Sequence, residues 1–435
     1  MKKLRFKEKF IASTIILIVG GAITKFLGMF IRVVMTRLVG LEGIGLYMLV
    51  YPTFSLFMTL SQLSMPTAIS KLVSEDRHNN KRIVFSAIPV TLIFNLFLIV
   101  IIVLFAPFIA NTFLKEPNAY LPILAIALVL PFDSISNLLR GYFFGKQKMF
   151  PHVISHICEQ IIRLIIILLI TPYLLTLGVT YAVCGLILVN MASEFLSIGI
   201  LFLFLPKNFK ITKQDLIPQK QNIKDVLDIS IPTTGGRLIG SIGYFLEPIL
   251  LTSCLLAAGY SNSYILTEYG IVSGYVMPLL LMPGFFTNAI SSALLPVISN
   301  AYAHDRKEYV KKKLKQAIFI SLAIAIPYTL ILMWCPEFFL KLFYNTNHGG
   351  TYLRTIAPIF LLYYIQAPIA TALQSLNLSK NLFWDNLKGI VTKCLAIVIF
   401  SFFHIGMFPL LIAIACSVIV TTTSHYFHLR KKLQT

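Results

Sequence analysis

Long apolar runs separated by short polar clusters carry the chain from one end to the other. Stretches long enough to cross a ~30 Å hydrocarbon core, about 20 residues each, cover residues 10–34, 44–69, 84–113, 121–144, 152–177 and 181–205. Six more cover 226–257, 269–295, 314–335, 352–376, 386–403 and 407–427. The pattern predicts an all-α polytopic membrane protein of about 12 transmembrane helices. A polar, lysine-rich stretch at 206–225 reads as a cytoplasmic linker between an N-terminal six-helix lobe, 1–205, and a C-terminal six-helix lobe, 226–435. The halves resemble each other. Gly20-Gly21 with Lys25 and Gly28 is matched by Gly235-Gly236 with Arg237 and Gly240, and Pro66 with Ile69-Ser70 by Pro296 with Ile298-Ser299. An even number of crossings per half sets two repeats pointing the same way about an axis along the membrane normal, and such a pair is expected to enclose a central cavity.

Composition agrees with a bilayer environment. The 435 residues are 57% hydrophobic and only 12% charged, with a mean hydropathy of +0.81, outside the range of soluble domains. A net charge of +20 would suit nucleic acid only on the basic face of a soluble domain. Here the cations sit in short connections, so no nucleic-acid partner is expected; membrane lipids surround the chain instead. Of 37 Lys and Arg, 28 lie in the two termini and the alternate connections, while the opposite connections hold only Arg37, Lys115, Lys341 and Arg354. That count includes Arg140 with Lys146 and Lys148 in one loop. Cationic loops stay on the cytoplasmic side, so both termini are predicted to be cytoplasmic. The six cysteines lie in or beside apolar runs without metal or redox spacing and read as small hydrophobes. The basic start resembles a signal-peptide n-region, but no small-residue cleavage site follows, so a retained first helix is expected.

Among the ionisable residues inside the apolar runs are Lys25, Arg32, Arg163, Arg237, Lys393, Asp133, Glu159, Glu194 and Glu247. Each costs about 2.5–3.5 kcal/mol at a helix centre, which directs them to one another or to a wet cavity. Glu159 and Arg163, four residues apart, read as a structural pair. Arg32 near the outer interface and Lys393 near the inner one can snorkel. Lys25 and Arg237 stand at equivalent places beside glycine pairs, where a cavity should open, and an anionic ligand suits them. Asp133, Glu194 and Glu247 are candidate coupling or structural acids. The histidines are scattered, with no HExxH or phosphate loop. No catalytic residue, cofactor or metal site is expected, and the chain reads as a transporter, not an enzyme.

Four segments of the first half, Gly40-Leu-Glu-Gly-Ile-Gly-Leu-Tyr47, Pro66-Thr-Ala-Ile-Ser-Lys-Leu-Val-Ser-Glu75, Arg140-Gly-Tyr-Phe-Phe-Gly-Lys-Gln-Lys-Met149 and Glu159-Gln-Ile-Ile-Arg163, join Ile231-Pro232, Glu268-Tyr-Gly270 and Leu294-Leu-Pro-Val-Ile-Ser299 of the second. Together they resemble the stage V sporulation protein B branch of the multidrug/oligosaccharidyl-lipid/polysaccharide (MOP, MATE-like) flippase superfamily, related to lipid II flippases. The resemblance implies a bacterial plasma-membrane flippase that moves an undecaprenyl-pyrophosphate-linked sugar, a peptidoglycan precursor or a polysaccharide repeat unit, from the inner to the outer leaflet. It implies a cavity lined by Lys25, Arg32 and Arg237; transport driven by an ion gradient, membrane potential or substrate flux is expected, with H⁺ or Na⁺ and a glycan polymerase as candidate partners. Two other readings stand beside it: an H⁺/Na⁺-coupled multidrug antiporter of the same superfamily, which would need an acidic cleft, and a non-transporting membrane scaffold for cell-wall assembly.

Overall fold

A computed structural model describes residues 2–75, 80–205 and 218–434. Residues 206–217 of the predicted linker lie outside the described residues, as do Arg77 and the side chains of the N-terminal cations. The described residues are helical throughout, without strands, and divide into two compact units, Met1–Phe245 and Leu246–Thr435.

The first unit opens with α1 (Lys2–Gln62). A straight helix of its 61 residues would run about 90 Å, some three hydrocarbon thicknesses, so it must turn. It does so at Gly40, with φ 67° and ψ −169°, a left-handed backbone that glycine adopts without a Cβ clash. The two arms match the separate runs 10–34 and 44–69 of the sequence. Leu63 and Ser64, both at positive φ, end α1 before the short α2 (Met65–Glu75). α3 (Asn80–Phe108), α4 (Tyr120–Gly145), α5 (Met149–Leu177) and α6 (Val179–Leu203) follow. A single glycine, Gly178 at φ 130°, joins α5 to α6. α7 (Lys220–Ala257) starts in the first unit and ends in the second.

α4 lies at the centre of the first unit, packed by α1, α2, α3 and α6. Its small residues allow backbones to touch, as is usual between helices in lipid. A Cβ on Gly141 would stand 2.7 Å from the Pro66 backbone, and one on Gly145 2.7 Å from the Ser70 carbonyl. Polar links add to this packing. Asn95 of α3 and Ser134 of α4, both fully or almost fully buried, donate to the carbonyl of Ser61 on α1 at 3.3 and 3.0 Å. The usual inside and outside are exchanged: Leu203 and Leu169 are 84% and 71% exposed, whereas Arg140 and Glu159 are 2% and 3% exposed. Such a surface belongs in hydrocarbon.

The second unit holds α8 (Asn262–Gly270), α9 (Met277–Leu281), α10 (Gly284–Ala303), α11 (Lys307–Trp334), α12 (Pro336–Tyr344), α13 (Gly350–Ser375), α14 (Ser379–Phe400) and α15 (Phe408–Gln434). The run 269–295 is not one helix. A π turn at Ile271–Val276 leads into α9, and the chain breaks again at Met282–Pro283, because Pro278 and Pro283 each withhold a backbone donor. α13 packs on α10, α11 and α15, and α14 on α15. Gly389 fits the last contact: a Cβ there would meet the Thr421 hydroxyl at 2.1 Å. Among the described residues 11 helical stretches are long and apolar enough to cross a membrane. The first of them contains the Gly40 turn and has the length for two crossings. The chain is a multi-pass membrane protein.

Candidate functional site

Three helices of the first unit carry polar residues at helical spacing within otherwise apolar faces. On α4, Asp133, Asn137 and Arg140 follow at i, i+4 and i+7; on α5, His152, His156, Glu159 and Arg163 at i, i+4, i+7 and i+11; on α6, Glu194 and Ser197 at i and i+3. That spacing aligns each set along one face. α4 and α5 both pack on α6, and the three faces close over a buried charge cluster. The Arg140 guanidinium is its hub. One terminal nitrogen donates to Glu159 Oε2 and to Ser197 Oγ, both at 2.7 Å, and lies 3.2 Å from Glu194 Oε2. Its Nε reaches Ser155 at 3.4 Å. Glu159 also accepts from Arg163 at 2.5 Å and faces His156 Nδ1 at 3.3 Å. Asp133 accepts one amide hydrogen bond from Gln62 and one from Asn137, each 2.9 Å.

Arg140 was counted above with the cytoplasmic loop cations. The structure corrects this: it is 2% exposed, inside α4. The signal was available, since Arg140 falls within the apolar run 121–144 and seven residues from Asp133. Two acids facing inward on neighbouring helices need a buried counter-charge, and Arg140 meets that need.

The cations expected to hold an anion are placed differently. Lys25 is exposed on the first arm of α1, and Arg32, seven residues on, is half-buried. Arg32 lies 5.8 Å from the centre of the Tyr51 ring and donates weakly to Met48 Sδ at 3.7 Å, a cation–π contact on the second arm of the same helix. Tyr51 meets Tyr244 of α7 edge-on at 6.4 Å, and Thr59 bonds Ser241 at 2.8 Å. Arg237, exposed, stands one turn before Ser241. Tyr51 thus touches both Arg32 and the part of α7 that carries Arg237.

In the second unit Glu247, 5% exposed, accepts from the Lys393 ammonium and from the Tyr269 hydroxyl, the latter at 3.2 Å. Lys393 does not extend toward an interface, because an unpaired Glu247 would cost more than the lysine gains in water. A further pair was not foreseen: Asp385, fully buried, is held by His428 at 2.8 Å and Lys388 at 3.4 Å. The signal was the spacing of Asp385 and Lys388 at i, i+3. Among the described residues no group of three or more His, Cys, Asp or Glu could hold a metal ion.

Comparison with known proteins places this arrangement. A family model described as polysaccharide biosynthesis protein matches residues 10–302, and one described as MatE matches residues 242–392. Stage V sporulation protein B of Bacillus subtilis (strain 168) is 35% identical, covering 96% of this chain and 83% of that protein. Lipid II flippase MurJ of the same organism is 22% identical, over 89% and 76% of the two chains. Among solved structures, the inward-facing conformation of a multidrug resistance MATE family transporter of the MOP superfamily matches with a TM-score of 0.77 over 94% of each chain, at 17% identity; likeness at that level establishes the fold. With a family model matched over residues 10–302 and a relative 35% identical over nearly the whole chain, the chain belongs to the polysaccharide biosynthesis protein family.

Proposed function

We propose that this protein is a flippase that carries a lipid-linked sugar with a diphosphate head, of the undecaprenyl-pyrophosphate class, from the cytoplasmic to the outer leaflet by alternating access. The observation that carries this reading is the division of intramembrane charge by accessibility. The four acids, Asp133, Glu159, Glu194 and Glu247, are 3–5% exposed and lie against donors or counter-charges of the chain. The cations Lys25 and Arg237 are exposed, and Arg32 is half-buried. Among these groups the exposed charge is positive, which suits a diphosphate and disfavours a cationic drug. Guanidinium and ammonium groups grip phosphate oxygens by charge-assisted hydrogen bonds. The relative named lipid II flippase supports the same class of cargo. Cationic loops place both termini on the cytoplasmic side in this reading, with H⁺ or Na⁺ as the coupling ion.

The test is leaflet exchange of a fluorescent undecaprenyl-diphosphate sugar in proteoliposomes. Each lost charge-assisted contact is worth about 1.5–3 kcal/mol, so Lys25→Ala and Arg237→Ala should each slow exchange roughly 10- to 100-fold at unchanged protein content. Wild-type rates in both variants, or export of cationic dyes that depends on Asp133, would replace this reading with another.

A further inference from the structure

The buried cluster of the first unit does not balance. Asp133, Glu159 and Glu194 contribute three carboxylates, whereas Arg140 and Arg163 contribute two guanidinium groups. With every group ionised, one negative charge is left in surroundings where an uncompensated charge is costly. One carboxylate oxygen marks the deficit. Glu194 Oε2 is buried with no hydrogen-bond partner, although it lies 3.2 Å from Arg140. A single proton removes the excess charge and gives that oxygen an O–H.

A route for the proton is also present. A cleft of about 390 Å³ is walled by Ser70 and Lys71 of α2, Asn137, Arg140 and Phe144 of α4, and His152 of α5. It therefore reaches two side chains that hold the cluster, Arg140 directly and Asn137 through Asp133. Lys146 and Lys148 follow α4 at the same end. The Nδ1 of His152 is buried and without a hydrogen-bond partner. One turn on, the ring of His156 meets that of His152 at 5.0 Å between centres. His156 Nδ1 in turn faces Glu159 Oε2 at 3.3 Å. Imidazole is the side chain that both takes and gives a proton near neutral pH.

We propose that His152 and His156 form a proton relay between this cleft and the Glu159–Arg140–Glu194 cluster, which stores one proton. The balance is simple. A hydronium ion in the cleft gives its proton to His152 and leaves as water; the proton passes to His156 by ring rotation or through one bridging water, and then to a cluster carboxylate as an O–H. Both imidazoles return to neutral, and the cluster changes from one excess negative charge to none. The charged groups around the relay are Glu159, which faces His156, Arg140 and Arg163, which pair with Glu159, Glu194 beside Arg140, Asp133 behind Asn137, and Lys71, which shares the cleft wall with His152 and Arg140. The Arg140 guanidinium, 2.7 Å from Glu159 Oε2 and 3.2 Å from Glu194 Oε2, repels a metal cation at these oxygens, so the stored ion is a proton.

The inference deepens the coupling part of the flippase reading, and its test needs no sugar. Full-length protein in phosphatidylcholine vesicles is followed by infrared difference spectroscopy after a pH jump from about 8 to about 5. A carboxylic-acid carbonyl band is expected to grow, to be lost in Glu194→Gln, and to be the same in sodium and potassium buffers. In His152→Phe and in His152→Gln it should reach the same amplitude at least about tenfold more slowly. Absence of a titrating band in the wild type, dependence of the band on sodium, or wild-type kinetics in both His152 variants would overturn the proposal. Failure of leaflet exchange with the band intact would overturn only the cargo.

Discussion

Replacing Arg140 by glutamine removes the guanidinium that Glu159 and Glu194 share and leaves side chains that are 4% and 6% exposed facing each other. The loss includes contacts of 2.7 Å to Glu159 and to Ser197. Breaking a buried ion pair from one side costs about 3–5 kcal/mol, since the stranded charge has nowhere to be solvated. That is a large share of the ~5–15 kcal/mol that holds a typical domain together. The assay is reversible denaturation of the purified protein in mixed micelles, followed by helix content. Arg140→Gln should lose about 3–5 kcal/mol. A second change, Glu194→Gln, should restore at least about 2 kcal/mol, because neutralising the abandoned acid removes the source of the penalty. The control lies in the second unit. Arg354 and Glu337 meet at 2.8 Å with side chains 48% and 42% exposed, and Arg354→Ala should cost no more than about 1 kcal/mol. A loss below about 1 kcal/mol in Arg140→Gln, or no recovery in the double variant, would refute the account of Arg140 as hub.

Two other substitutions probe packing and the second unit. Gly141→Ala would press a methyl against the Pro66 backbone, where no flexible side chain can yield; a loss of about 1–3 kcal/mol is expected, measured by the same denaturation, against a near-neutral Gly236→Ala, which meets nothing within 4 Å. Lys393→Met strands Glu247 against Tyr269 alone. It should lower the thermal midpoint clearly, and Lys393→Met with Glu247→Gln should recover most of that loss.

The crossings were legible because a hydrocarbon core demands about 20 apolar residues at a time, and no tertiary context overrides that demand. Legibility ended where a residue's surroundings come from elsewhere in the chain. Arg140 looked like a neighbour of Lys146 and Lys148, and only the packing of α5 and α6 on α4 reveals two acids waiting for it. Lys393 lies near one end of an apolar run, and its partner is 146 residues away on α7. Pairs at i, i+4, such as Glu159 and Arg163, can be read locally because one helix brings both members together. The break at Pro283 was half visible: prolines could be seen in the run 269–295, but not whether neighbouring helices would splint them.

Gly40 gives the two arms of α1 a corner made of a single residue. A corner so short folds the arms back within reach of each other, and Arg32 of the first lies against Tyr51 and Met48 of the second. An anion that drew Arg32 away would therefore strip one face of the ring that Tyr51 turns toward Tyr244 of α7.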